Sequence, residues 1–129
     1  MDQVRDGLLY TKDHEWVSGD PTARKVGITA YAVDQLGDIT LVTIDVKPGD
    51  KVEAGKAFGT VESVKTLSDL YAPISGTIVA VNGELDQKPE LVNESCYDAA
   101  WMVSIASDAA TDGLMDAAAY RAFLAASSH

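Results

Sequence analysis

Apolar and polar positions alternate through residues 39–46: Val42, Ile44 and Val46 fall on one face and Leu41, Thr43 and Asp45 on the other. That two-residue period predicts a half-buried strand. Shorter β-prone runs predict further strands at 8–10, 15–17, 77–81 and 101–105. Gly19, Asp20 and Pro21 close the second of these with a turn. Pro48 and Gly49 suit the central positions of a type II turn, and Val52 followed by Gly55 resumes and ends a short strand. Residues 58–64 and 66–71 read as the arms of a hairpin with Lys65 at its tip, framed by Val61, Val64, Leu67 and Leu70 and followed by Pro73 and Gly76.

The period lengthens in three places. Val26 and Ile28 lead into Thr29, an N-cap for a short helix through Tyr31, Val33 and Leu36 that Gly37 stops. PELVNES predicts one helical turn after Pro89. Asp116 is placed to cap AAAYRAFLAAS, a helix over about 114–126 whose Tyr120, Phe123 and Leu124 share one face and read as core packing. Many short strands with frequent turns argue for a barrel or sandwich. A faint echo links VTIDVKPGD to GTIVAVNGE across Lys65, as if two similar halves packed as facing sheets with the hairpin at one end.

At 129 residues, 47% hydrophobic and 23% charged, the chain fits one globular domain, 1–129, with its core over about 8–106. Its formal charge of −10 disfavours nucleic acid, whose phosphates need clustered Lys and Arg. The acidity serves solubility or docking onto basic partner surfaces. Cys96 stands alone, which rules out an internal disulfide and a cysteine-built zinc site and leaves it a small buried apolar side chain. No apolar run approaches the ~20 residues of a membrane span. The start MDQVRDGLLYTKDHEW has neither a signal-type apolar stretch nor an Arg-rich transit pattern. The expected compartment is a bacterial cytoplasm or, for a mature organelle protein, the mitochondrial matrix, the first being preferred. No membrane partner is implied. His14 reads as structural and His129 as a disordered terminal residue; with no triad, phosphate loop or metal cluster, no catalytic residue is assigned.

Lys65 is the candidate for chemistry. A catalytic amine needs apolar or cationic surroundings to shed its proton, whereas Glu62 and Asp69 lie three residues before and four after it. It reads as the target of a modifying enzyme rather than a Schiff-base nucleophile, beside the plain alternative of a solvated surface charge.

GTVESVKTLSDLYAPISG at 59–76, with YTKDHEWV and VGITAYAVDQLGDI before it and PELVNESCYDAAWM after it, resembles the glycine cleavage system H proteins from residue 8 to about 123. Biotin carriers set their lysine between methionines, where this chain has Val64 and Thr66. The resemblance implies a mainly β barrel-sandwich hybrid of the lipoyl/biotinyl type, with a short helix in its N-terminal half and a C-terminal helix. It implies lipoic acid amide-linked to Lys65, with Glu62, Ser63 and Val64 as the recognition context. The implied partners are glycine decarboxylase (P protein), aminomethyltransferase (T protein), dihydrolipoamide dehydrogenase (L protein) and a lipoate ligase or octanoyltransferase, all met by a monomeric carrier. Glu15 and Asp69 become candidates for a cleft that shields the loaded arm and pairs its ammonium, against the alternative of solvated surface carboxylates. Two departures stand out: the loop before Trp101 has Cys96, Asp98, Ala99 and Ala100 where relatives often have Pro and Gly, and Leu67 is bulkier than expected. An H-like relay passing lipoyl or octanoyl groups to other complexes, and an unmodified acidic interaction module, are the competing readings.

Overall fold

A computed structural model describes residues 4–127, so His129 lies outside the described residues. The strands are β1 (Leu9–Tyr10), β2 (Glu15–Val17), β3 (Arg24–Ile28), β4 (Ile39–Ile44), β5 (Lys51–Val52), β6 (Ala57–Ser63), β7 (Leu67–Tyr71), β8 (Gly76–Val81) and β9 (Val103–Ala106). The helices are α1 (Ala30–Leu36), α2 (Glu84–Gln87), α3 (Leu91–Glu94) and α4 (Ala117–Ser127). A six-stranded sheet runs β1-β2-β3-β9-β8-β5 and a three-stranded sheet runs β4-β6-β7, with antiparallel pairing throughout. The mainly β barrel-sandwich expectation, with its short early helix and C-terminal helix, is the observed architecture.

The two sheets bury their apolar faces against one another. Val17, Val26, Ile28, Ile78, Val103 and Ile105 from the larger sheet meet Val42, Phe58, Val61 and Leu70 from the smaller one in a single core. Each such side chain contributes about 1.5–3 kcal/mol when fully buried, so this interface makes the scaffold stiff. A second cluster joins Tyr10 and Trp16 to Ala117 and Tyr120, seating α4 on the first strands. Trp16 lies flat over Gly27, its strand partner, where an added Cβ would come within 2.7 Å of the indole. The indole N–H donates to the Cys96 carbonyl at 3.0 Å, tying β2 to the loop after α3.

Most punctuation follows the sequence. The Thr29 side chain accepts from the Ala32 amide to cap α1, and Gly37 ends the helix at φ 81°. Gly49, at φ 95°, and the Asp50 N–H to Lys47 carbonyl bond at 3.0 Å give the expected type II turn. Asp116 Oδ1 accepts from the Ala119 amide at 2.8 Å and caps α4.

Several boundaries differ. Helix α4 begins at Ala117 rather than near 114 because Met115 exchanges two backbone hydrogen bonds of 2.8 Å with Tyr10, which holds it extended. Strand β9 starts at Val103 rather than Trp101. Helix α2 has no counterpart in the periodicity; the Asn82 side chain sets its start by accepting from the Glu84 amide. The two echoed segments lie in different sheets, as facing halves require, but Gly83 leads into a helix where Gly49 makes a turn. Cys96 is half-buried rather than fully buried.

Candidate functional site

The hairpin tip is Val64, Lys65 and Thr66, since β6 ends at Ser63 rather than Val64 and β7 begins at Leu67 rather than Thr66. Ser63 staples it: its amide donates to the Thr66 carbonyl at 2.8 Å, and its hydroxyl accepts from the Lys65 and Thr66 amides at 3.2 Å each. Every amide of the tip has a partner, since Val64 N–H donates to the Asp38 carbonyl at 3.0 Å. Asp38 is itself held from both sides. The Asn93 side chain on α3 accepts from the Ile39 amide at 2.9 Å and donates to the Gly37 carbonyl at 3.0 Å. The tip is therefore locked to the end of α1 through a short backbone strap.

Lys65 is exposed, and among the described residues it makes no ion pair or side-chain hydrogen bond. Its stem rests on the end of α1: a Cβ placed on Gly37 would lie 3.5 Å from Lys65 Cε. Val61 and Leu70 are buried as expected, whereas Val64 and Leu67 are 67% and 62% exposed rather than part of the frame. They project from the tip because the sheet ends there and has nothing to cover it. Leu41 and Leu67 both pair with Glu62 across the strands, so an exposed apolar pair flanks an exposed carboxylate beside Lys65.

A cleft of ≈ 300 Å³ opens between α1 and β7, next to the lysine stem, because Leu36 of its wall precedes Gly37. Its lining brings Glu15 and Asp69 together with His14 and Tyr31. A depression of ≈ 360 Å³ elsewhere is lined by Arg5 and Asp98, which pair with each other at 2.6 Å, and Lys65 takes no part in it.

The two carboxylates differ. Asp69 is exposed, its charge being the main cause that pushes the Tyr71 phenol up from its ordinary value. Glu15 is not the surface carboxylate of the plain reading: it is 2% exposed on β2. Its Oε1 accepts from the Thr11 hydroxyl at 3.0 Å and its Oε2 from the Tyr71 amide at 2.9 Å. Burial pushes its carboxyl up to about 8, outweighing those two bonds, and Asp13 adds a smaller push in the same direction.

His14 is structural in its bonding, yet it also lines the cleft. It is the one described non-glycine residue at positive φ, 66°, and its ring lies 4.6 Å from that of Tyr31. Periodicity gave no warning of this. The signal available was the pair Asp13-His14 between two strands, since Asp and His are among the residues enriched in the left-handed region. The bridging role of Asn93 left no sequence signal at all, because a lone Asn in a helical turn has no pattern.

A family model described as Glycine cleavage H-protein matches residues 8–127. A glycine cleavage system H protein of Acidobacterium capsulatum is 53% identical, over 89% of this chain and 89% of its own length. One from Halalkalibacterium halodurans is 48% identical over 94% and 95%. The crystal structure of a glycine cleavage system H protein from Mycobacterium marinum superimposes with a TM-score of 0.88 at 36% identity, covering 95% of this chain and 99% of that one.

Proposed function

The chain belongs to the glycine cleavage H-protein family, and from that membership we propose that Lys65 carries the lipoyl group and that the neighbouring cleft shelters the loaded arm. The protein is the lipoyl-bearing carrier of the glycine cleavage system and works with that system's other components. In the proposed cycle a single non-catalytic domain, acting as a monomer, visits the decarboxylase, the aminomethyltransferase and the dihydrolipoamide dehydrogenase in turn. A lipoate ligase or octanoyltransferase prepares it. The bacterial origin of its relatives favours a bacterial cytoplasm as the workplace. Among the described residues no helix is long and apolar enough to cross a membrane.

The observation that carries the reading is the position of the Lys65 stem, laid on the end of α1 beside a cleft that holds two carboxylates. Bound through an amide, the lipoyl dithiolane supplies a sulfur that takes up the aminomethyl cargo and a dithiol that is later reoxidised. The chain's own residues do the rest. Ser63, Asp38 and Asn93 hold the tip still, so each enzyme meets the attachment point in one geometry. Glu62 and Val64, both exposed, offer a modifying enzyme its recognition surface, while Ser63 acts through the shape of the tip. Tethering raises the effective concentration of the arm at each active site without a tight interface that would slow release.

In the cleft, Leu36, Val61 and Leu70 exclude water, and Asp69, joined by Glu15 once a cargo ammonium draws off its proton, supplies the charge that pairs with that ammonium. Charge-assisted hydrogen bonds are worth about 1.5–3 kcal/mol each. Glu15→Gln combined with Asp69→Asn is therefore expected to hasten decay of the loaded arm at least about tenfold, followed by intact mass. Decay at the wild-type rate would remove the sheltering role.

The function itself is tested by reconstitution. Lipoylated protein is expected to stimulate glycine–bicarbonate exchange by the decarboxylase, and unlipoylated protein is not. The relay alternative predicts no stimulation from either form.

A further inference from the structure

We infer that the Tyr120 hydroxyl on α4 is a positioning group for the arm's cleft, a strut that holds His14 of one wall in register with the start of α1 in the other. The inference rests on the reading of that cleft as the shelter of the loaded arm.

The wall residue His14 is held in a conformation that side chains other than glycine rarely adopt, and such a residue persists where its surroundings over-determine it. Three contacts do so. The His14 amide donates to the Thr11 carbonyl at 3.1 Å, and the His14 carbonyl accepts from the Thr29 amide at 2.9 Å. The third is made by the side chain, whose Nδ1 lies 2.8 Å from the Tyr120 hydroxyl. The same hydroxyl lies 2.8 Å from Thr29 Oγ1. Thr29 is the cap of α1, and α1 delivers Tyr31, Ala32, Gln35 and Leu36 to the cleft. One oxygen on the C-terminal helix thus joins the origin of both walls.

Tyr120 has little freedom to move. It is fully buried, and its ring stacks on that of Tyr10 at 4.4 Å and 1°. It does not line the cleft, so it acts through His14 and Thr29 rather than on the cargo. Ring stacking alone accounts for its burial but not for a hydroxyl placed between two polar partners. Tyr120→Phe separates these roles, because it keeps the stack and removes only the oxygen.

The experiment uses the full chain, lipoylated and then loaded with glycine and decarboxylase. It compares wild type, Tyr120→Phe, His14→Leu and the Glu15→Gln/Asp69→Asn pair. Decay of the loaded arm is read by intact mass, and the tautomer of the unloaded protein's His14 by side-chain nitrogen NMR. Tyr120→Phe removes both contacts of the hydroxyl and is expected to decay at least about threefold faster than wild type, the lower end of the effect of losing such hydrogen bonds. Its His14 should show a tautomer balance different from wild type, because Nδ1 has lost its Tyr120 partner, while Lys65 is lipoylated at the wild-type rate. His14→Leu, which keeps bulk in the wall but lacks Nδ1, should reproduce the faster decay and carries the test if Tyr120→Phe fails to fold. Wild-type decay in both single variants, with acceleration in the carboxylate pair, overturns the strut and leaves the shelter standing. Wild-type decay in the carboxylate pair overturns the shelter and the strut with it. An equal slowing of lipoylation in Tyr120→Phe also overturns the strut, since it would mark a defect of the whole scaffold.

Discussion

Lys65→Arg is expected to abolish the mass gain of lipoylation and to bring glycine turnover in the reconstituted system down to background. The guanidinium keeps the positive charge and the length of the stem, but it stays protonated and offers no amine for amide formation. The scaffold should not notice the change. Lys65 is exposed and makes no ion pair or side-chain hydrogen bond among the described residues, so stability should move by no more than about 0.5 kcal/mol. Peptide mapping of protein expressed with a lipoate ligase checks the site, and a denaturant midpoint checks the fold. An adduct on any other lysine, or full turnover with arginine in place, would remove Lys65 from the mechanism.

The contrast between an unchanged fold and a lost function follows from how the tip is built. Its order comes from Ser63, Asp38 and Asn93, none of which needs the lysine, so the carrier can be rigid before it is modified. Rigidity matters in the proposed cycle because each enzyme would have to find the same attachment point. The exposed Leu41 and Leu67, set on either side of Glu62, would offer a visiting protein an apolar pair with a carboxylate between them. Encounters governed by that charge weaken as salt rises.

Much of this was legible in the chain. Alternation located β4 and short β-prone runs the other strands except β3, whose Val26 and Ile28 read only as a lead into α1; the Thr29 cap, the Gly37 stop and the Pro48-Gly49 turn were readable because each rests on local backbone chemistry. Ser63, Lys65 and Asp69 lie close in sequence, so a motif spanning 59–76 captured them together. Boundaries failed where a distant partner decided them, as when Tyr10 keeps Met115 out of α4. The exposure of Val64 and Leu67 was misread because hydrophobicity does not say where a sheet ends. Glu15 shows the limit most clearly. Its place in the HEW segment drew notice, but its burial depends on β7, 56 residues away, whose Tyr71 amide it accepts.

That burial leads to the second large effect, a stability that falls with pH through Glu15 alone. In the unfolded chain this carboxyl releases its proton near its ordinary value of 4.5, whereas in the folded protein burial holds the proton until about pH 8. Between those values the folded state binds more protons, so stability decreases as pH rises. The contribution of the neutral carboxyl is fully present below the lower value and is lost on passing the upper one. At about 1.4 kcal/mol per pH unit, the window caps the loss near 5 kcal/mol. Glu15→Gln removes the titration. It should track wild type at pH 4 and exceed it by several kcal/mol at pH 8.5, measured by urea unfolding at constant m-value; parallel curves for the two proteins would show that Glu15 ionises freely in the fold. On the proposed sheltering role, a cargo ammonium beside the ionised carboxylate would offset the same cost. The arm-loaded protein should therefore lose less stability between pH 6 and 8.5 than the unloaded one, and loading near pH 7 should release a proton from Glu15.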